Sequence, residues 1–441
     1  MKLAGWGNFP RVEAQLCRPR YTDELSGLLA DSPSLIARGN GRSYGDAAVN
    51  PAMTVTTTAM NRIRRLDLDQ GRAICEAGML LSDLLERIVP AGWFVPVVPG
   101  TAQVSLGGMA AADIHGKNHH LEGSFGRHVD ALDLLVGDGR VLTCSRQEHP
   151  ELFAATLGGM GLTGIILTVT VRLIPIETAW IRQQTLVAQN LDEAMAHFEA
   201  SHAVTHTVAW LDCLAGKSRL GRSLLFAGEA AGRAELPAGY RERPLETPAK
   251  TARTLPVNAP GWLLNRLSVR LFNTLYFRRG ARRSQPRIVP FEAFFFPLDA
   301  IREWNRLYGR RGFVQHQCVL PLEASRSGLH AILQRTSASG CGSMLAVLKR
   351  LGPAAGPLSF PMEGYTLALD FPLRRDTLAL MKELDAIVRD HQGRIYLAKD
   401  AVSDPLTLRS GYPDLGVFEK VRAAYHGQCF QSSLARRLEL T

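Results

Sequence analysis

The chain lacks several things, and each lack closes off a class of answer. Its seven cysteines (Cys17, Cys75, Cys144, Cys213, Cys318, Cys341 and Cys429) are odd in number, scattered, and never in a Cys-x-x-Cys pair. Such thiols point to a reducing compartment, not to a disulfide framework. No charge-free apolar run approaches the ~20 residues of a membrane-crossing helix, and the opening Met1-Lys-Leu-Ala-Gly-Trp-Gly-Asn-Phe-Pro10 has no apolar core of signal-peptide length. The expectation is a soluble cytoplasmic protein. Low-complexity blocks and internal repeats are also missing, while 46 % of residues are hydrophobic and 21 % charged, so disorder is not the default. A chain of 441 residues is too long for one ordinary core, which predicts two domains or one large composite.

Negative charge is the scarcer sign: 41 acidic residues against 51 Lys and Arg leave a net charge of +10. A basic surface serves nucleic acid, anionic lipid or a phosphorylated substrate equally well. Much of the excess is local. From Arg266 to Arg287 there are seven arginines and no carboxylate, mixed with Leu267, Leu271, Phe272, Leu275, Tyr276 and Phe277 and preceded by Trp262, Leu263 and Leu264. Residues 261–288 therefore read as cationic and amphipathic, closer to a membrane-surface helix than to a DNA-reading one, with an ordinary surface helix as the bland alternative.

What is present is α+β in pattern. Short β-like runs (34–38, 53–57, 72–76, 131–136) alternate with glycine turns in the first third, and a helix is expected over Leu80 to Val89 from apolar spacing at Leu81, Leu84, Leu85 and Ile88. The β-branched run 164–174 reads as a strand ending at Pro175. From about Glu177 the glycines thin out. A helix at 191–201, a strand at 313–320, a helix at 325–337 and a strand at 365–371 read as a second α+β domain, and the tail from Arg394 onward is expected to rejoin the first.

Chemistry concentrates in Asp113-Ile-His-Gly-Lys-Asn-His-His120, a titratable cluster among small residues. Small side chains admit a planar ligand close to the backbone, and an imidazole with an ordinary pKa near ~6.5 exchanges protons at neutral pH. The loop Arg38-Gly-Asn-Gly-Arg-Ser-Tyr-Gly-Asp46 follows an apolar strand, so its glycines can turn N–H groups toward an anion. Its spacing, Gly39-x-Gly41-x-x-x-Gly45, is one residue too long for a dinucleotide fingerprint, and it contains no Gly-Lys-Ser/Thr. A plain glycine turn is the bland reading. A metal site at His115, His119 and His120 is disfavoured because no His-Glu-x-x-His or cysteine partner accompanies them, and these rings, with His128, can equally be structural.

Taken with Pro99-Gly-Thr101, Ser105-Leu-Gly-Gly108 and Gly158-Gly-Met-Gly-Leu-Thr-Gly164, the constellation resembles the FAD-binding (PCMH-type) domain of the vanillyl-alcohol oxidase flavoproteins. Within that superfamily the chain resembles the decaprenylphosphoryl-β-D-ribose 2'-oxidase family. The motifs His115-Gly-Lys-Asn-His-His120, Glu303-Trp-Asn-Arg306, Gln315-His-Gln317, Leu358-Ser-Phe-Pro361, Tyr396-Leu-Ala-Lys-Asp400 and Ala435-Arg-Arg-Leu-Glu-Leu440 follow that family in order, least securely between about 215 and 290.

The resemblance implies a discontinuous FAD-binding domain over 1–176 and 393–441 and a substrate domain with an antiparallel sheet over 177–392. It implies that Arg38, Gly39, Asn40, Gly41, Arg42, Ser43, Tyr44 and Gly45 hold the pyrophosphate. Pro99, Gly100, Thr101, Gly107, Gly108, His115, Gly116, Asn118, Gly161, Gly164, Ile165 and Tyr396 are implied around the flavin. Lys117, Gln315, Gln317, Lys349, Thr366 and Lys399 are implied on the substrate side. Arg42 stands where several relatives carry a flavin-linking histidine, which implies noncovalent FAD. The implied reaction oxidises the 2-hydroxyl of a polyprenyl-phosphoryl ribose, the first half of an epimerisation completed by a partner keto-reductase, at or near the inner membrane face.

His115, Lys399 and Tyr44 are the catalytic candidates: His115 as proton acceptor, and Lys399 as a cation, since a lysine base would need strong desolvation. One departure is visible. Where mycobacterial members carry Trp, Asn and an active-site Cys, this chain has Tyr365, Thr366 and Ala368. Two other readings stand beside this one: an oxidase of a soluble alditol or aldonolactone using oxygen, and a basic membrane- or nucleic-acid-binding protein without catalysis. The cationic amphipathic stretch favours a lipid-linked substrate and no nucleic acid.

Overall fold

The structure is a computed structural model and describes residues 1–249, 252–283 and 285–440. Beside the short pair Lys2–Leu3 and Val12–Glu13, the first part of the chain builds two larger sheets. Parallel strands Leu16–Cys17, Thr54–Thr56 and Ile36–Arg38 form the smaller of the two. An antiparallel sheet of five runs in the order Val141–Ser145, Val129–Leu135, Ile165–Arg172, Arg72–Glu76, Ile63–Asp67. Its central strand is Ile165–Arg172, whose β-branched side chains suit a pleated surface covered on both sides. Helix Leu81–Ile88 buries Leu81, Leu84, Leu85 and Ile88 at the spacing the sequence predicts, and joins the same core.

The middle of the chain forms one eight-stranded antiparallel sheet. Its order is Arg287–Pro290, Trp180–Ala188, Ser223–Ala230, His206–Leu211, Ala346–Leu351, Gly364–Pro372, Phe313–Pro321, Arg394–Ile395. Side chains alternate across such a sheet. Leu211, Leu225, Cys318, Leu348, Leu367 and Leu369 pack in a core with residues of helices Leu191–Ala200, Leu322–Ser339 and Thr377–Asp390. Gln315, Gln317, Lys349, Thr366, Ala368 and Asp370 point the other way, into a cavity.

The tail returns to the first third. Tyr44 donates its backbone N–H to Ala398, Leu35 bridges Phe430, and Arg437 grips Asp46 at 2.8 Å and Asp400 at 3.0 Å. Burial pushes Asp46 up despite that guanidinium, whereas at Asp400 Arg437 and the N–H groups of Ser403 and Val402 outweigh burial and hold the carboxyl down.

The basic stretch forms helix Arg266–Ala281, capped by Asn265, whose Oδ1 accepts from the N–H groups of Leu267 and Ser268. Val269, Asn273 and Phe277 are buried beneath it. Its outer face is unusual: Leu267 is 78 % exposed, Leu271 62 % and Leu275 55 %, one ridge at i, i+4 spacing. The helix is apolar on two sides with arginines between, rather than amphipathic in the ordinary one-sided sense. Among the described residues no helix is long and apolar enough to cross a membrane.

Candidate active site

One cavity of about 1700 Å³ lies between the glycine loops and the eight-stranded sheet. Ligand pockets commonly occupy about 300–1,000 Å³, so this one has room for a large cofactor together with a second molecule.

Its first wall is nearly bare backbone. Gly39, Gly41, Gly100, Gly107, Gly108, Gly161 and Gly164 line it, interspersed with Ala37, Ala77, Ala102, Ala111 and Ala112. Gly41 needs its glycine because its φ is +63°, and at Gly39 a Cβ would come within 2.0 Å of Ser105 Oγ. Asn40 and Arg42 both donate to the carbonyl of Gln103, at 2.8 and 3.1 Å, and the Arg42 guanidinium lies 4.0 Å over the Trp6 ring. Thr101 is held by Asp299 Oδ1 at 2.6 Å. Ser43, Tyr44, Pro99 and Tyr396 also line the cavity.

Five of the residues expected at the cofactor stand outside this lining. Arg38 donates to the carbonyls of Ala4 and Ala48, and a Cβ at Gly45 would meet the Asp400 carbonyl at 1.9 Å. Their task is to seat the loop against the N-terminus and the tail. Asn118 donates to Pro96 and packs on Gly116, while Ile165 belongs to the core behind the wall.

The second wall carries charge. Lys117, Lys349 and Lys399 are each half-buried and line the cavity. Burial drives Lys117 down to about 7 and Lys349 to about 8. Lys399 also falls to about 7, because burial and Lys349 outweigh the attraction of Asp370, whose own carboxyl burial pushes up. The Lys399 ammonium lies 3.6 Å from the centre of the Tyr44 ring. Tyr44 is itself pushed well above the ordinary phenol range by burial and by Asp370, so it remains a neutral phenol. Lys349 sits within strand Ala346–Leu351 with its side chain toward the cavity.

His115 departs from its expected behaviour. Burial, then Lys349, His119 and Lys399, hold its pKa well below the usual imidazole range, so it is neutral and a weak base. Gln317 Nε2 lies 3.1 Å from His115 Nε2 and 3.3 Å from Thr366 Oγ1. An amide nitrogen can only donate, so with Gln317 Nε2 placed there the ring proton sits on Nδ1, which is buried without a protein partner. The other histidines are structural: His119 Nδ1 accepts from Gly352, His120 pairs with the Val204 carbonyl, and His128 with that of Glu122. Among the described residues no three His, Cys, Asp or Glu side chains gather as a metal site.

Asp370 escaped the sequence reading although its signal was available. Thr366, Ala368 and Asp370 alternate on one strand face, and Asp370, 1 % exposed, bonds Gln315 Nε2. Trp6, Gln103 and Asp299 carried no such periodicity.

The first wall fits FAD on two observations: glycines let a flat ligand reach the backbone, and the Nδ1–H of His115 is a buried donor awaiting an acceptor. Comparison with known proteins agrees. A family described as FAD binding domain matches residues 14–145. Over its whole length the chain is 39 % identical to the decaprenylphosphoryl-beta-D-ribose oxidase of Mycolicibacterium smegmatis, covering 97 % of that protein. It is 36 % identical, over 82 % of its length, to an uncharacterized protein in the mprA 5' region of Streptomyces coelicolor. L-gulonolactone oxidase of Mus musculus is 30 % identical over 36 % of the chain and 37 % of its own length. The long match, the FAD-binding segment and the two-walled cavity together place this chain in the decaprenylphosphoryl-β-D-ribose oxidase family of FAD-dependent oxidoreductases.

Proposed function

We propose that the chain oxidises the 2-hydroxyl of a polyprenyl-phosphoryl-β-D-ribose to the 2-keto sugar. The observation that supports this most is the convergence of Lys399, Lys349, Gln317, Thr366 and His115 on one cavity whose opposite wall is bare backbone. When bound along the glycine wall, FAD supplies the two-electron acceptor for the hydrogen leaving C2. Lys399 takes the hydroxyl proton: burial gives its amine the near-neutral pKa that a general base requires, so the role first expected of His115 passes to it. His115, fixed by Gln317, offers Nδ1–H as a donor and orients rather than deprotonates. Asp370 balances Lys399 once it is protonated.

FAD is held noncovalently in this reading. Among the described residues no cysteine lines the cavity, Arg42 cannot form a histidyl bond, and His115 is the only imidazole there. Residues 1–176 with 393–441 act as the cofactor-binding unit, its two segments joined through the Arg437 contacts, and 177–392 act as the substrate unit. A keto product passes to a reductase to complete an epimerisation.

The outer ridge of the basic helix docks on an anionic lipid surface. Leu267, Leu271 and Leu275 supply the apolar edge, and the flanking arginines, none ion-paired among the described residues, supply the charge. Phe272, Tyr276, Arg279 and Arg283 of the same segment line the cavity, so a lipid-linked substrate enters from the docked face.

The test is anaerobic mixing of the holoenzyme with polyprenyl-phosphoryl ribose. Flavin bleaching with the lipid sugar and none with free ribitol is expected. Bleaching by ribitol alone would move the chain to the soluble-alditol class.

A further inference from the structure

The cavity extends well past Lys399. The sheet acts as a ruler for the remainder. Thr366 pairs with Lys349, and Val347, one turn of the pleat away, pairs with Trp210, which brings Val208 beside Lys349. Val208 pairs with Phe226, and Phe226 with Thr185. One row of side chains therefore crosses five strands, and all five (Thr366, Lys349, Val208, Phe226, Thr185) line the cavity. Strands lie roughly 5 Å apart, so Thr185 stands about 15 Å from Lys349.

The row changes character along its length. Its inner end carries two amines that a bound phosphate would hold protonated: Lys349, and Lys117, whose Nζ is 5.4 Å from the Phe294 ring and 5.5 Å from that of Phe295 and donates to the Phe295 carbonyl at 3.0 Å. Its floor is then apolar. Tyr276 of the basic helix, 4.6 Å from Trp210, walls one side, and Phe291 and Phe294 of helix Phe291–Phe295 wall the other. Beyond Thr185 the lining turns polar and basic at Gln183, Arg283 and Arg287.

A sugar needs no apolar trough of this length. An isoprenoid phosphodiester needs both parts: cations for the phosphate, then a dry floor for the branched chain. We propose that the trough over Val208, Phe226 and Thr185 is an isoprenoid-binding subsite, with Lys117 and Lys349 holding the phosphodiester at its inner end. This rests on the lipid-linked reading above and assigns the part of the site that reads the chain.

The test uses FAD-loaded protein and two sugar-free probes, farnesyl phosphate and dimethylallyl phosphate, with binding followed by calorimetry. Wild type binds farnesyl phosphate more tightly than dimethylallyl phosphate. Phe226→Gln removes a half-buried aromatic face from the floor and weakens farnesyl phosphate by about tenfold or more. Thr185→Trp plugs the trough three strands from Lys349, so it weakens farnesyl phosphate and leaves dimethylallyl phosphate unchanged, a split that general damage does not produce. An unaltered flavin spectrum checks folding in both variants. Equal affinity of wild type for the two probes, or no change in chain-length preference in both variants, overturns the subsite. If the chain-length pattern appears but no polyprenyl-phosphoryl ribose bleaches the flavin, the subsite stands and the proposed reaction falls.

Discussion

The two walls of the cavity work by opposite means. The glycine wall offers backbone, with Arg42 as its charged exception, and its tolerance is steric: at Gly39 the nearest atom to an added Cβ is Ser105 Oγ, 2.0 Å away. The sheet wall offers Lys349, Asp370, Gln315 and Gln317 on one pleated face, with Lys399 reaching it from the turn after Arg394–Ile395, and its tolerance is electrostatic. Shape-preserving changes of charge should cripple the second wall and mean little to the first; added methyl groups should do the reverse.

The largest effect is expected at Lys399. Lys399→Ala lowers kcat by ~10²–10⁴-fold, the usual worth of a general base, while bound FAD measured by absorbance stays near wild type. Normal turnover in that variant would break the comparison at its centre. Arg437→Met leaves Asp46 and Asp400 buried beside each other without their cation, and costs about 3–5 kcal/mol in denaturant unfolding. On the glycine wall, Gly39→Ala forces Ser105 aside and costs about 1–3 kcal/mol, read as weakened FAD retention rather than as altered chemistry of the bound enzyme.

The pH dependence sharpens the same contrast. A base must be deprotonated, so the rate of anaerobic flavin reduction rises with pH and levels off above Lys399's pKa of about 7. His115 stays neutral across that range and adds no limb of its own. His115→Asn should therefore slow reduction but keep the inflection, whereas a lost inflection would return the base to His115. The smallest effect is a null one. Ala368 lines the cavity in place of a cysteine, so thiol-directed inhibitors leave no adduct on strand Gly364–Pro372, as intact-mass analysis can check.

Much of this was legible from residues alone, for physical reasons. Alternation placed Gln315 and Gln317 on one strand face, and apolar spacing placed helix Leu81–Ile88, because those periods are dictated by local geometry. Glycine loops marked the first wall, but not which glycines meet ligand: Gly45 packs on Asp400 from the far end of the chain, a partner no local pattern announces. Protonation was the least legible. His115 has an ordinary imidazole's pKa in sequence and a strongly depressed one in the fold, because burial strips its water and Lys349 and Lys399 then arrive from a distant strand and a distant loop. Burial, with Lys349 again beside it, turns Lys399 from an expected cation into the better base.

Anaerobic single turnover with polyprenyl-phosphoryl ribose deuterated at C2 tests the central claim most directly. Flavin bleaching slowed by the label at C2, and unslowed by a label at C3, is the result predicted. Bleaching that ignores the C2 label, or that slows only with the label elsewhere on the ring, would contradict a cavity built to take hydrogen from the 2-position.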